Sequence, residues 1–206
     1  GLAVSMKLGA AISRTKSAIS NIQNSLSFSE VQDGALQSGA RIIERMAELK
    51  SLSLDVMKSS SDKANYDTEF RALQQQLHSI TTETFNGVSL FGLSKSKTDD
   101  GSATFGTDNY IVSVFTSDRG SAGSIVSLNK SLLLSALTFT NDTTATAAKV
   151  GQSNSVALAV SAYDANSTLE TWGVSFFTQA LENVASLRAE NGATMARLQF
   201  SEDHLR

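Results

Sequence analysis

The sequence predicts a mainly α protein with a smaller β part. Its two chain ends form an elongated antiparallel helical bundle or coiled coil, and a β-hairpin-containing middle segment sits at the tip. Three observations predict this. Apolar residues recur seven apart near both ends of the chain. There is no proline in 206 residues, where average usage of about 5% would give roughly ten. Proline removes a helical hydrogen bond and clashes with the preceding turn, so its absence fits long helices. Between the two ends lies a stretch rich in Gly, Ser, Thr, Asn and Asp that holds two short β-branched runs.

The first element is a long helix. Leu8, Ile12, Ile19, Ile22 and Leu26 make one apolar stripe, and Phe28, Ala35, Ile42, Leu49 and Val56 make a second at an unbroken interval of seven. A narrow stripe of this kind is a coiled-coil seam. The change of phase between Leu26 and Phe28 reads as a local discontinuity. Arg41 with Glu44 and Arg45 with Glu48 have i,i+3 spacing on a solvated face. A break is expected near 58–65, in "KSSSDKAN", where Ser and Asp compete for backbone hydrogen bonds. A second amphipathic helix follows, with Phe70, Leu73, Leu77 and Ile80 on one face, and it ends at Phe85.

The next signal is Phe85-Asn86-Gly87. Asn-Gly takes positive φ readily, so the chain can reverse tightly there, with Phe85 packing back on the bundle and Val88 and Leu90 starting an extended segment. "NYIVSVFTS" (109–117) and "GSIVSL" (123–128), with Asp118, Gly120 and Gly123 between them, read as a hairpin. "SVALAVSAY" (155–163) fits either strand or helix. The last zone opens on Ser167 and Glu170, which have capping-box spacing. Phe177, Val184, Leu198 and Leu205 then share one seven-residue register, with Leu181 and Met195 beside them and Asn191 at the missing step. Asn191 either sets the register of the seam or faces solvent. The chain accordingly divides into a helical core at 1–85, a β-rich middle at 86–166, and a C-terminal core helix at 167–206 that packs on 1–85.

Composition restricts the function classes. Formal net charge is −3 and no basic patch is visible, so neither a nucleic acid nor an anionic membrane is an expected partner. There is no cysteine, hence no disulfide, thiolate nucleophile or cysteine metal site. No run reaches the ~18 apolar residues of a membrane span, and no signal peptide is visible. His78 and His204 stand apart from one another and from any ligand motif. "GSAGS" (120–124) lacks the lysine of a phosphate loop, and Asp99-Asp100 and Glu202-Asp203 are adjacent solvated charges. Asn141-Asp-Thr143 and Asn166-Ser-Thr168 match the short glycosylation pattern. No catalytic, metal or cofactor residue is assigned. The residues support a helical structural or interaction protein rather than an enzyme.

Four segments, in order, carry a family resemblance: "GLAVSMKL" (1–8), "DGAL" (33–36), "EFRALQQQLHSITTETFNGVSLF" (69–91) and "ALENVASLRAENGATMARLQF" (180–200). Together they resemble the terminal core regions of bacterial flagellins, and the two helical zones they mark make up about two thirds of the chain. The resemblance implies a flagellar filament subunit that self-assembles by helical core packing and serves motility. It further implies export without a cleaved signal, an extracellular location, and a core fragment lacking the outermost terminal helices. The implied partners are other flagellin subunits, the flagellar export and cap machinery, and an innate-immune Toll-like receptor. The receptor contacts of the family fall on Arg45, Leu49 and Glu69. Beside them, Ala47 replaces a common arginine, and Lys50 and Ser51 replace small apolar residues. A hook–filament junction protein and a flagellin-like surface protein that binds glycans are the alternatives. Phe-Asn-Gly favours the filament subunit.

Overall fold

The computed structural model describes residues 1–92, 105, 110–115, 119, 122–123, 125–141, 145–148, 150 and 152–206. Gly120 and Ser124 of the Gly/Ser run, the Asp99-Asp100 pair, and Asp142 and Thr143 lie outside the described residues.

Helix α1 is Leu2–Ser53, 52 residues, about 78 Å at 1.5 Å per residue. It is uninterrupted, so the discontinuity expected between Leu26 and Phe28 is absent. Its most deeply buried line is Ile22, Ser29, Leu36, Ile43 and Lys50, each one heptad from the next. That line escapes a search for apolar residues because two of its members are polar. Phe28, Ala35, Ile42 and Leu49 flank it and are also buried. Val56, the next step of that flanking register, lies past the helix end and is 91% exposed.

Helix α2, Ser60–Thr81, starts inside the stretch expected to break the helical pattern and ends four residues before the expected Phe85, which lies in a strand instead. The same residues that disfavour a helix interior favour its first turn. Ser59 Oγ accepts from the Asp62 amide at 3.1 Å, and the Ser59 amide donates to Asp62 Oδ2 at 3.0 Å, a reciprocal cap. Phe70, Leu77 and Ile80 are buried against α1, with Leu73 half-buried.

After α2 come three two-stranded antiparallel hairpins among the described residues. β1 (Thr84–Phe85) pairs with β2 (Val88–Ser89) across Asn86 and Gly87, whose φ values are 51° and 75°. These left-handed values are what a two-residue reversal requires, and Asn and Gly tolerate them best. β3 (Tyr110–Phe115) pairs with β4 (Ile125–Lys130) from Tyr110↔Lys130 to Phe115↔Ile125. A short helix, α3 (Leu133–Ala136), leads into β5 (Thr138–Thr140). β5 pairs with β6 (Ser155–Ala157), so the ambiguous 155–163 run is strand only at its start. Every residue from Ser131 to Phe139 is buried.

The final helix, α4, is Val174–Leu205. It runs antiparallel to α1: Asn191 meets Ser29, Arg188 meets Asp33, and the turn before α4 meets Lys50. Phe177, Val184, Asn191 and Leu198 are all buried in the seam. One hydrophobic cluster joins Leu36 and Ile43 of α1, Phe70 of α2, Leu133 and Phe139 of the middle and Phe177 of α4. The middle segment is thus rooted in the bundle core through 131–139.

Candidate functional site

The candidate surfaces follow from what this packing leaves uncovered. Along α1 the apolar stripe is buried from Ile22 onward. Before that it is bare: Leu2, Val4, Met6, Leu8 and Ile12 are 49–78% exposed. Val4, Leu8 and Ile12 lie at i, i+4 and i+8, so they share one helix face. Phe200 of α4 is 76% exposed. Exposed apolar faces of this kind are the first candidates for an interaction surface.

A second bare patch caps the other end of α1. Leu54, Val56 and Met57 are exposed on the α1–α2 connection. The Met57 amide donates to Asp55 Oδ1 at 2.9 Å and the Lys58 amide to Asp55 O at 3.2 Å. The Ser59–Asp62 cap follows directly and holds the Asp62 carboxyl below the usual carboxylate range through its Ser59 hydrogen bonds. The apolar tip is therefore presented on a fixed turn.

The third surface is charged. Arg45 binds Glu69 through both arms of its guanidinium, at 2.8 and 3.0 Å, and Glu48 at 3.0 Å. These hydrogen bonds, Glu69 first, raise the Arg45 pKa. The fork geometry fixes α2 against α1. Arg41–Glu44 is not among the ion pairs of the described residues. Leu49 is fully buried. It points into the α1 core, so it cannot join Arg45 and Glu69 in an exposed contact.

At the β1–β2 hairpin, Phe85 packs edge-on against Phe28 with centroids 6.4 Å apart. The hairpin walls an open groove of about 300 Å³ with Phe28, Leu128 and Lys130.

Ser167 and Glu170 do not cap α4. Gly173 is its N-cap, without a side-chain hydrogen bond, and 169–171 form a short 3₁₀ turn instead. The reason is that 160–172 is bound down as a strap. Ser167 Oγ donates to Gln74 Oε1 at 3.0 Å, and Arg71 Nε donates to Ser167 O at 2.7 Å. The Leu169 amide donates to Asp67 Oδ1 at 2.9 Å, and Leu169 O accepts from Lys50 Nζ at 2.8 Å. Burial lowers the Lys50 pKa, with Glu170 and Asp67 opposing. Trp172 then locks the strap edge-on against Phe70 and Phe176, at 6.4 and 5.2 Å. Asp67, Arg71 and Gln74 are not singled out by sequence, and Lys50 enters there only as a departure from small apolar residues common in the family it resembles.

Among the described residues no helix is long and apolar enough to cross a membrane, and no group of three or more His, Asp or Glu could hold a metal ion.

This architecture belongs to the class of elongated helical-bundle proteins whose two chain ends pair, with hairpins inserted between them. Residues 1–97 match the family described as the bacterial flagellin N-terminal helical region. The flagellin of Listeria monocytogenes is 28% identical over 204 residues, 98% of this chain and 64% of that protein. The flagellar filament 33 kDa core protein of Treponema phagedenis is 32% identical over 91 residues, 44% of this chain and 32% of that protein. The chain thus spans less than two thirds of either relative. The crystal structure of Bacillus cereus flagellin aligns with a TM-score of 0.60 over 90% of this chain and 88% of that one, at 20% identity, and shares the fold. The chain is thus similar to bacterial flagellins, and its residues 1–97 to their N-terminal helical region.

Proposed function

We propose that the chain is a structural subunit of the bacterial flagellar filament, and that it polymerises through the bare faces of its helical core. One observation carries the reading: residues 1–97 match the bacterial flagellin N-terminal helical region, and the helix they form carries Val4, Leu8 and Ile12 on one apolar face. Burying such a stripe against another subunit gains about 25 cal/mol per Å² of apolar area. The 28% identity to the flagellin of Listeria monocytogenes supports the reading, as does the printed description of the Treponema relative as a filament core protein. Service in motility, export without a cleaved signal, capping machinery and an extracellular filament location come with it.

Leu8→Asp with Ile12→Asp in the full-length gene product tests it, by electron microscopy under polymerising conditions. The unaltered protein is expected to give filaments and the double variant none. Filaments of equal length and number from both would overturn the assignment of this face.

For a Toll-like receptor the same reading offers Arg45 and Glu69 without Leu49. Surface plasmon resonance with Arg45→Ala is the direct check, and unchanged affinity removes the contact.

A further inference from the structure

In the α1–α4 seam a polar step of one helix meets a polar step of the other. On α1 the buried heptad line reads Ile22, Ser29, Leu36, Ile43; on α4 it reads Phe177, Val184, Asn191, Leu198. Ser29 is 0% exposed and Asn191 1%. Asn191 Nδ2 donates to Ser29 O at 2.7 Å, across 162 residues of chain. Ser29 Oγ and Asn191 Oδ1 are buried and meet no protein partner among the described residues. The apolar steps on either side discriminate a one-heptad slide less sharply than the polar step does, because Ile, Leu, Val and Phe are all apolar fillers of such a seam.

We propose that Ser29 and Asn191 form the register-setting layer of the helical core. The mechanism is geometric. A buried amide needs room beside the helix whose carbonyl it bonds, and the small Ser29 leaves that room at this level of the seam. Sliding α4 by one heptad, about 10 Å, would set Asn191 opposite Ile22 or Leu36. Their branched side chains would fill the room the amide needs and leave it buried and unsatisfied, which is costly. The layer therefore specifies register at the expense of stability, since its other two polar atoms find no protein partner. The Arg188–Asp33 ion pair at 3.0 Å, with Arg188 exposed, agrees with the register but is a weaker determinant, because surface pairs contribute little. Register has a consequence that rests on the assembly reading. It fixes the relative height of the bare stripe on α1 and Phe200 on α4, so both meet a neighbouring subunit at once.

The chain has no native cysteine, so spin labels go only where they are placed. Nitroxides at Glu30→Cys and Ala196→Cys, both exposed positions, report the α1–α4 register by pulsed electron resonance on the isolated chain, without any assembly step. The unaltered core is expected to give one distance population. Asn191→Leu is expected to keep the helical circular dichroism, to melt at or above the unaltered midpoint, and to show a second population displaced along the helix axis. Asn191→Ala, which cannot overpack the seam, is read in parallel and is expected to show the same second population. A single unshifted population in both variants, or in Asn191→Ala alone if Asn191→Leu does not fold, would overturn the proposal. Because nothing here depends on polymerisation, a failure would leave the filament reading untouched.

Discussion

Helix α1 contains two regions built alike and buried differently. Val4, Leu8 and Ile12 repeat at helical spacing, and so do Ile22, Leu36 and Ile43. The first set is 49–67% exposed and the second 0%. Neither propensity nor pattern separates them. What differs is the opposing surface, which α4 supplies at Ile22 and beyond. Periodicity specifies a face, and the partner decides whether that face becomes core or docking surface. The same contrast recurs on α4 between Phe177, 1% exposed, and Phe200, 76% exposed.

The strongest way to break the comparison uses that phenylalanine pair. Phe177→Ala should lose about 3–5 kcal/mol of stability in urea unfolding, the usual cost of emptying an aromatic core site. It would also remove the edge-on contact with Phe70 at 6.2 Å. Phe200→Ala should stay within about 0.5 kcal/mol. Equal losses would mean that Phe200 is covered in solution.

A leucine pair on α1 sharpens the point at smaller scale. Leu36→Ala should cost about 2–5 kcal/mol, whereas Leu8→Ala should fall within about 0.5 kcal/mol in the same assay. Its effect is expected instead in the polymerisation yield of the full-length gene product. A large loss of monomer stability from Leu8→Ala would make the stripe part of an intramolecular core.

The same rule explains what the sequence made legible. The long terminal helices, their antiparallel pairing and the smaller antiparallel strand part follow from heptads, the lack of proline and β-branched runs. Asn86-Gly87 signals a tight reversal by local chemistry alone, and the φ values of 51° and 75° have that local origin. Features that depend on distant partners were not legible. Ser29 broke the apolar line and imitated a phase change, because its role is set by Asn191, 162 residues away. Ser167-x-x-Glu170 has the letters of a capping box, but Gln74 and Arg71 of α2 claim Ser167 first. Leu49 resembles a contact residue by family position, yet its direction is fixed by packing that spacing does not encode.

Capping separates letters from geometry most directly. Ser59→Ala removes a reciprocal cap at an exposed helix start and should cost about 1 kcal/mol. Ser167→Ala removes one side-chain hydrogen bond from the strap to Gln74 and leaves the start of α4 untouched. Hydrogen exchange resolves the two. Ser59→Ala should speed exchange in the first turn of α2, while Ser167→Ala should leave the first turn of α4 unchanged. Faster exchange at Ser175–Phe177 in Ser167→Ala would restore the capping assignment.

The smallest effect is expected at Lys50, the charged end of the buried line. Its pKa is lowered mainly by desolvation, so the folded chain holds its proton less firmly than the unfolded chain, whose value is 10.5. Between the lowered folded pKa and 10.5 the unfolded state binds more protons, and stability rises with pH. Below that window both states are protonated and the cost of burying the ammonium is fully present; above it both are neutral and that cost is gone. Lys50→Met keeps the stem in the core and removes the titration, along with the bond to Leu169 O. Urea unfolding across this alkaline window should show the unaltered chain gaining stability relative to Lys50→Met as pH rises. A parallel pH dependence in both chains would show that Lys50 meets solvent as freely in the folded state as in the unfolded one. The buried line of α1 would then end at Ile43, and the strap at Leu169 would be held from the α2 side alone.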